Sequence, residues 1–248
     1  EDVLLSATSD IRDLSVKSAF RGMPIDNGRI ALTVNNESLS ASGEAVYANT
    51  ATSFKWTEDF SGRRPIKRRL DTRFIAGTQQ AKLFDIHFPE IFDGSAPIQL
   101  VYEERRDNTA VLSAGLDLQD VKISLPGLDW VKLPGLPGTA QVSASLRDGA
   151  IITVDHFQLD SGIFSMIGEI TFATREERKG QEIATLRLKK FKLGLTEFSA
   201  NIQKEDSEGY SIAVNGRGLD ASPFLRRSLK DFHAPNLPRF RLTGKFDK

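Results

Sequence analysis

Apolar and polar residues alternate along most of this chain. In Gln141-Val142-Ser143-Ala144-Ser145-Leu146-Arg147 every second residue is apolar, and Phe164-Ser165-Met166, Gly168-Glu169-Ile170-Thr171-Phe172 and Tyr210-Ser211-Ile212-Ala213-Val214-Asn215 repeat the pattern. Side chains on a strand point to opposite faces with period two, so each run has one apolar and one polar face. The pattern predicts strands over 2–9, 14–20, 28–35, 37–48, 51–57, 71–76, 79–88, 96–106, 108–118, 120–125, 138–147, 149–160, 162–174, 181–193, 196–205, 209–218 and 238–246.

Turn chemistry separates them, as at Asp26-Asn27-Gly28, Asn35-Asn36, Asp148-Gly149 and Asp160-Ser161-Gly162. The short gaps favour neighbouring antiparallel strands over parallel strands joined by helices. The fold class expected is therefore mainly all-β, a long antiparallel meander. Within 181–193 the pattern slips: Leu186 and Leu188 share one face, Phe191 and Leu193 the other. A bulge at Lys189-Lys190 restores the register.

One short helix is expected near 220–232, capped by Asp220, with Pro223 in its first turn and Phe224, Leu225, Leu229 and Phe232 as its apolar stripe. Two segments interrupt the strands. Residues 57–70 carry Arg63, Arg64, Lys67, Arg68 and Arg69. Residues 126–138 carry three Pro-Gly pairs around Trp130 and Lys132. This second segment is the best internal seam. It suggests one β-rich unit over 1–130 and another over 131–248, or one continuous sheet.

The apolar face raises the functional question. About fifteen strands with about three inward apolar residues each would forgo roughly 1.5–3 kcal/mol per residue left in water. That total far exceeds the ~5–15 kcal/mol net stability of a domain, and one short helix is too small to cover the face. The sheet can stack on a second sheet, close into a barrel, or curl into a groove filled by lipid. Periodicity does not choose among these.

Composition removes several other roles. Lys plus Arg equals Asp plus Glu at 33 each, which argues against nucleic acid as a partner. The chain has no cysteine, and so no disulfide, thiolate metal site or Cys nucleophile. Its apolar runs are far shorter than a membrane span. It opens without Met or a leader pattern and reads as a piece of a longer protein.

His87, His156 and His233 have no metal-ligand spacing, and no nucleophile elbow, P-loop or dinucleotide fingerprint occurs. Asp117, Asp120 and Asp129 read as turn carboxylates rather than an acid–base pair. Asn36-Glu37-Ser38 matches a glycosylation sequon, a pattern common by chance. No catalytic residue, metal site or cofactor is expected. The basic run 63–69 could meet anionic head groups. Glu58, Asp59 and Asp71 beside it favour a solvated loop instead.

Four stretches carry a family resemblance: Gly28-Arg29-Ile30 through Phe54-Lys55-Trp56-Thr57-Glu58-Asp59-Phe60; Ala114-Gly115-Leu116-Asp117-Leu118 leading through Leu125-Pro126-Gly127-Leu128-Asp129-Trp130-Val131-Lys132 to Gly135; Gly194-Leu195-Thr196-Glu197-Phe198-Ser199; and Gly216-Arg217-Gly218-Leu219-Asp220 through Leu225. In order and spacing over about residues 14–232 they resemble the repeated unit of the AsmA-like superfamily, in particular its YhdP-like branch.

The resemblance implies a periplasmic segment of a protein anchored in the inner membrane of a Gram-negative bacterium. That protein would bridge toward the outer membrane, with possible envelope protein partners unknown. It implies a meander curled into an open groove or taco-like sheet, with phospholipid as partner and no enzymatic activity. The expected lining is Ile30, Leu32, Val34, Val142, Leu146, Met166, Ile170, Phe172, Leu186, Leu188, Phe198, Ile202, Ile212 and Val214. The alternatives are a closed β-sandwich serving as a structural or interaction module and, more remotely, a carbohydrate-active enzyme, for which no paired carboxylates are identifiable.

Overall fold

A computed structural model describes residues 4–18, 23–77, 80, 91–125, 128–173, 182–205, 209–220 and 239–246. Its described strands are β1 (Ser6–Val16), β2 (Ile25–Asn35), β3 (Ser38–Tyr47), β4 (Thr50–Asp59), β5 (Ile66–Ala76), β6 (Phe92–Asp93), β7 (Ala96–Arg105), β8 (Thr109–Asp117), β9 (Lys122–Leu125), β10 (Trp130–Lys132), β11 (Thr139–Arg147), β12 (Ala150–Ser161), β13 (Phe164–Phe172), β14 (Ile183–Leu193), β15 (Thr196–Lys204), β16 (Gly209–Gly218) and β17 (Arg239–Phe246).

Fourteen of these form one curled sheet in the order β1-β2-β3-β4-β5-β7-β8-β11-β12-β13-β14-β15-β16-β17, and the sheet is not closed into a barrel. Every junction is antiparallel except β16–β17, which is parallel. A parallel junction needs a connection that carries the chain back along the sheet, and this one falls between Gly218 and Arg239. The expected helix lies in this connection, and beyond Asp220 it falls outside the described residues. So does nearly all of the strand expected over 79–88.

The turns obey simple backbone rules. Asp148 and Gly149 both take positive φ in a two-residue hairpin, as do Ala48 and Asn49. Register shifts recur at Asp26/Arg29, Val154/Phe157 and Leu188/Phe191. Such bulges raise local twist and help a wide sheet curl. The shift in β14 leaves Lys189 and Lys190 facing one residue of β15, at the site of the expected bulge. Opposite it, Gly168 lies under the Phe157 ring. A Cβ there would sit 2.5 Å from Phe157 Cζ and 2.6 Å from the Arg187 carbonyl oxygen, so no larger residue fits.

Several expectations need correction. The two strands expected over 2–9 and 14–20 meet in a single strand, β1 (Ser6–Val16), with Asp13 at φ 56° near its irregular end; 2–3 and 19–20 lie outside the described residues. The interruption expected over 57–70 is only the turn between β4 and β5, because β5 already begins at Ile66. Of the two readings left open at the Pro-Gly seam, the large sheet follows the continuous one, since β8 pairs with β11 along their whole length. The seam contributes β10 to a second, three-stranded sheet, β10-β9-β6, whose β9 just precedes the seam and whose β6 lies before β7. This second sheet lies across one end of the central strands as a flap, and the main core is the material trapped beneath it.

Candidate functional site: an apolar face on the open sheet

Cross-strand pairing fixes which side chains share a face, because paired residues of an antiparallel ladder point the same way. One rung runs from Ile30 through Gly43, Phe54, Thr72, Leu100 and Ala114 to Val142. It continues through Phe157, Gly168, Leu188 and Ala200 to Val214. A second rung, two residues along each strand, begins at Leu32, crosses Trp56, Leu70, Tyr102, Leu112 and Ala144, and ends at Ile170, Leu186, Ile202, Ile212 and Leu242. From β2 to β17 this makes twelve inter-strand steps of about 4.8 Å, roughly 58 Å along the surface.

All the residues expected to line a groove lie on this one face, and all are half-buried. Ile30, Leu32, Val34, Val142, Leu146, Ile170, Phe172, Leu186, Leu188, Ile202, Ile212 and Val214 belong to the rungs just traced or to their neighbours toward the other end of the strands. Met166 and Phe198 belong to a rung next to the flap and pack against its core. The sequence reading missed several residues of the same face, among them Phe54, Leu70, Leu100, Tyr102, Leu112 and Phe157. The period-two pattern of Ile98, Leu100 and Tyr102, continued by Leu112, Ala114 and Leu116, carried the signal.

The flap covers part of this face with protein. Ile123 is 1% exposed and packs with Leu159, Phe164 and Phe191. Trp130, Phe164, Phe191 and Phe198 form a ladder of rings with successive centroid separations of 5.0, 5.5 and 4.6 Å. Lys132 fastens the flap. It is 1% exposed, and its ammonium donates to the carbonyls of Gln119 (3.1 Å), Val121 (2.9 Å) and Leu133 (3.3 Å). Burial pushes its pKa below the usual lysine range, against the opposing pull of Asp120 and Asp117. Gly138 leaves room for the stem: a Cβ there would lie 3.0 Å from Lys132 Cε. Elsewhere, among the described residues, the strands of the large sheet contact chiefly their lateral neighbours.

A polar cluster marks the opposite margin of the apolar face. Arg68 bonds Glu58 at 3.0 Å and Glu104 at 3.1 Å, while Tyr102 donates its hydroxyl to Glu104 at 3.2 Å. Lys67 approaches Glu104 at 3.5 Å, and the Arg68 guanidinium lies 5.7 Å from the Trp56 ring centre. The hydrogen bond to Glu58 leads the causes that hold Arg68 above its ordinary pKa. Burial, helped by Glu104, raises that of Tyr102. Two carboxylates and two cations thus balance one another within strands β4, β5 and β7. The basic run is not a bare cationic patch: Arg63 and Arg64 lie in the exposed turn between β4 and β5, as expected of a solvated loop, whereas Lys67, Arg68 and Arg69 belong to β5 and are ion-paired. Arg69 is likewise engaged by Asp71 and Glu103, and Arg63 by Glu37.

Of the histidines, His156 sits on β12 opposite Ser143, and His87 and His233 fall outside the described residues. No described helix is long and apolar enough to cross a membrane. Compared with known proteins, the chain matches no family model, no curated protein and no solved structure.

Proposed function

We propose that this chain is a non-enzymatic segment of a lipid-carrying bridge, its curled apolar face serving as a trough for the acyl chains of phospholipid. One observation carries the reading. Two rungs of mainly apolar side chains cross the open sheet from β2 toward β17, most of the larger ones half-buried and Trp56 and Leu242 exposed, while the flap occupies only one end of the central strands. A face of that size is costly in water, and acyl chains satisfy it without requiring shape complementarity at each position. The ion-paired cluster of Glu58, Arg68 and Glu104 supports the reading as well, since it places neutralised polar groups at the margin of the trough rather than along its floor. The resemblance to AsmA-like proteins of the YhdP-like branch points the same way. It would place the parent protein in the periplasm, anchored in the inner membrane.

Uptake of a fluorescent phospholipid tests this. Glu in place of Leu186 and Ile202, neighbours across β14 and β15, is expected to abolish uptake while circular dichroism still reports a folded sheet. Uptake equal to that of the unsubstituted protein overturns the trough. Unfolding of the double variant would point to a closed core, as in a structural sandwich module.

A further inference from the structure

We propose that one rim of the sheet is a docking surface for an anionic lipid bilayer, distinct from the trough. The rim is built from the turns at one end of the strands. The loop before β11 exposes Leu133 (58%) and Leu136 (52%), the β12–β13 turn exposes Ile163 (61%), the β14–β15 turn exposes Leu195 (87%), and the end of β16 exposes Leu219 (43%). These tips adjoin one another. Ser161 Oγ donates to the Pro137 carbonyl at 3.0 Å, Gly194 N–H to the Ile163 carbonyl at 3.2 Å, and Asp220 N–H to Thr196 Oγ1 at 3.0 Å. The chain places an aliphatic residue at turn positions that ordinarily favour polar ones. In both tight turns it follows a glycine of positive φ, Gly162 or Gly194.

The other rim differs in kind. Leu4, Leu5 and Phe60 aside, its exposed turns present Asn36, Glu37, Arg63, Asp107, Asn108 and Asp148.

Charge identifies the partner. Beside Leu195 and Leu219, the polar face of β14–β17 carries Lys189, Lys190, Lys192, Arg217 and Lys245, opposed by Glu169, Glu197 and the exposed Asp220. The carboxylates of this rim near Leu133 and Leu136 are Asp117, Asp120 and Asp129, so the cationic part of the rim is its β14–β17 side. Among the described residues Lys190, Lys192 and Lys245 have no ion-pair partner. An open depression of about 420 Å³ is lined by Lys189, Lys190, Arg217 and Lys245 around Glu197. Apolar tips flanked by unpaired cations match a bilayer whose surface is anionic and whose interior is hydrocarbon. A protein partner would more often be met by aromatic anchors in a shaped patch, and none of these tips is aromatic.

Co-sedimentation with vesicles tests the proposal. The protein is expected to bind phosphatidylcholine vesicles containing phosphatidylglycerol, to bind pure phosphatidylcholine weakly, and to lose binding as salt rises. Ile163→Ser with Leu195→Ser removes two exposed tips. It should weaken binding at least about tenfold, with the melting temperature unchanged. Lys190→Glu with Lys192→Glu should abolish the preference for the anionic vesicles.

Failure of the unsubstituted protein to sediment with the anionic vesicles overturns the proposal. So does binding that neither pair of substitutions alters, which would leave the rim to a protein partner. The trough stands or falls separately, because the rim variants should retain any co-purified phospholipid in full.

Discussion

Replacing Lys132 by Met tests whether the flap is held by the three-carbonyl clamp. Met keeps most of the aliphatic stem against Gly138 and Leu118 and removes only the ammonium. The carbonyls of Gln119, Val121 and Leu133 then lose their donor. The bond to Val121 is buried, so its oxygen is orphaned at about 1–3 kcal/mol, while the other two lie nearer solvent and recover part of their bonding from water. Against this, the variant no longer desolvates a charge, which returns part of the loss. The net expectation is a destabilisation of about 2 kcal/mol, read as a lower urea midpoint with an unchanged slope. Fluorescence of Trp130, a flap residue whose ring tilts against Phe164 of the large sheet at 5.0 Å, should shift toward the exposed indole in the same transition. A midpoint equal to or above that of the unsubstituted protein would refute the clamp.

Three further outcomes follow from the packing. Phe191→Ala, beneath the flap between Phe164 and Phe198, should cost about 3–5 kcal/mol, whereas Ile212→Val on the open face should cost less than about 1 kcal/mol; equal losses in urea melts would contradict the division between core and trough. Gly168→Ala should destabilise by about 1–3 kcal/mol, since the Arg187 carbonyl cannot move away as a side-chain tip could; a neutral thermal melt would contradict the close approach. Asp59 is held below the usual carboxylate range, first by the hydrogen bond from Ser61 and then, against its burial, by Arg106. Its folded pKa is the lower one, so its contribution is present above about pH 4 and disappears as pH falls through the folded value. Asp59→Asn should therefore flatten the acid limb of a stability–pH curve, and an unchanged limb would count against the pairing.

Much of the sheet was legible because period-two alternation is a direct consequence of strand geometry. The slip between Leu188 and Phe191 located the β14 bulge, since a register error flips every following side chain to the wrong face. What misled the reading was composition without partners. The run from Arg63 to Arg69 resembles a loop until β4 and β7 supply Glu58, Glu103 and Glu104 opposite it, and that pairing is long-range. The Pro-Gly segment around Trp130 has every mark of a boundary, yet the same turns let the chain leave the sheet, form β9 and β10, and return at Thr139. Nothing local announces that Lys132 will be buried, because its three acceptors are backbone carbonyls available at any residue. The parallel seating of β17 was equally hidden, since alternation gives the faces of a strand and not its direction.

The trough residues divide along the same line. Leu186, Ile202 and Ile212 were placed together by pattern alone and are rung neighbours across β14, β15 and β16. Met166 and Phe198 share that pattern but lie beside the flap core, because the flap is contributed by residues distant in sequence.

The central claim is that phospholipid covers the apolar face, and mass spectrometry of the gently purified protein under native conditions tests it most directly. The account predicts protein ions carrying one or more phospholipid masses, lost when Leu186 and Ile202 are both replaced by Glu. Ions at the bare protein mass alone, from a preparation that circular dichroism shows to be folded, would contradict it.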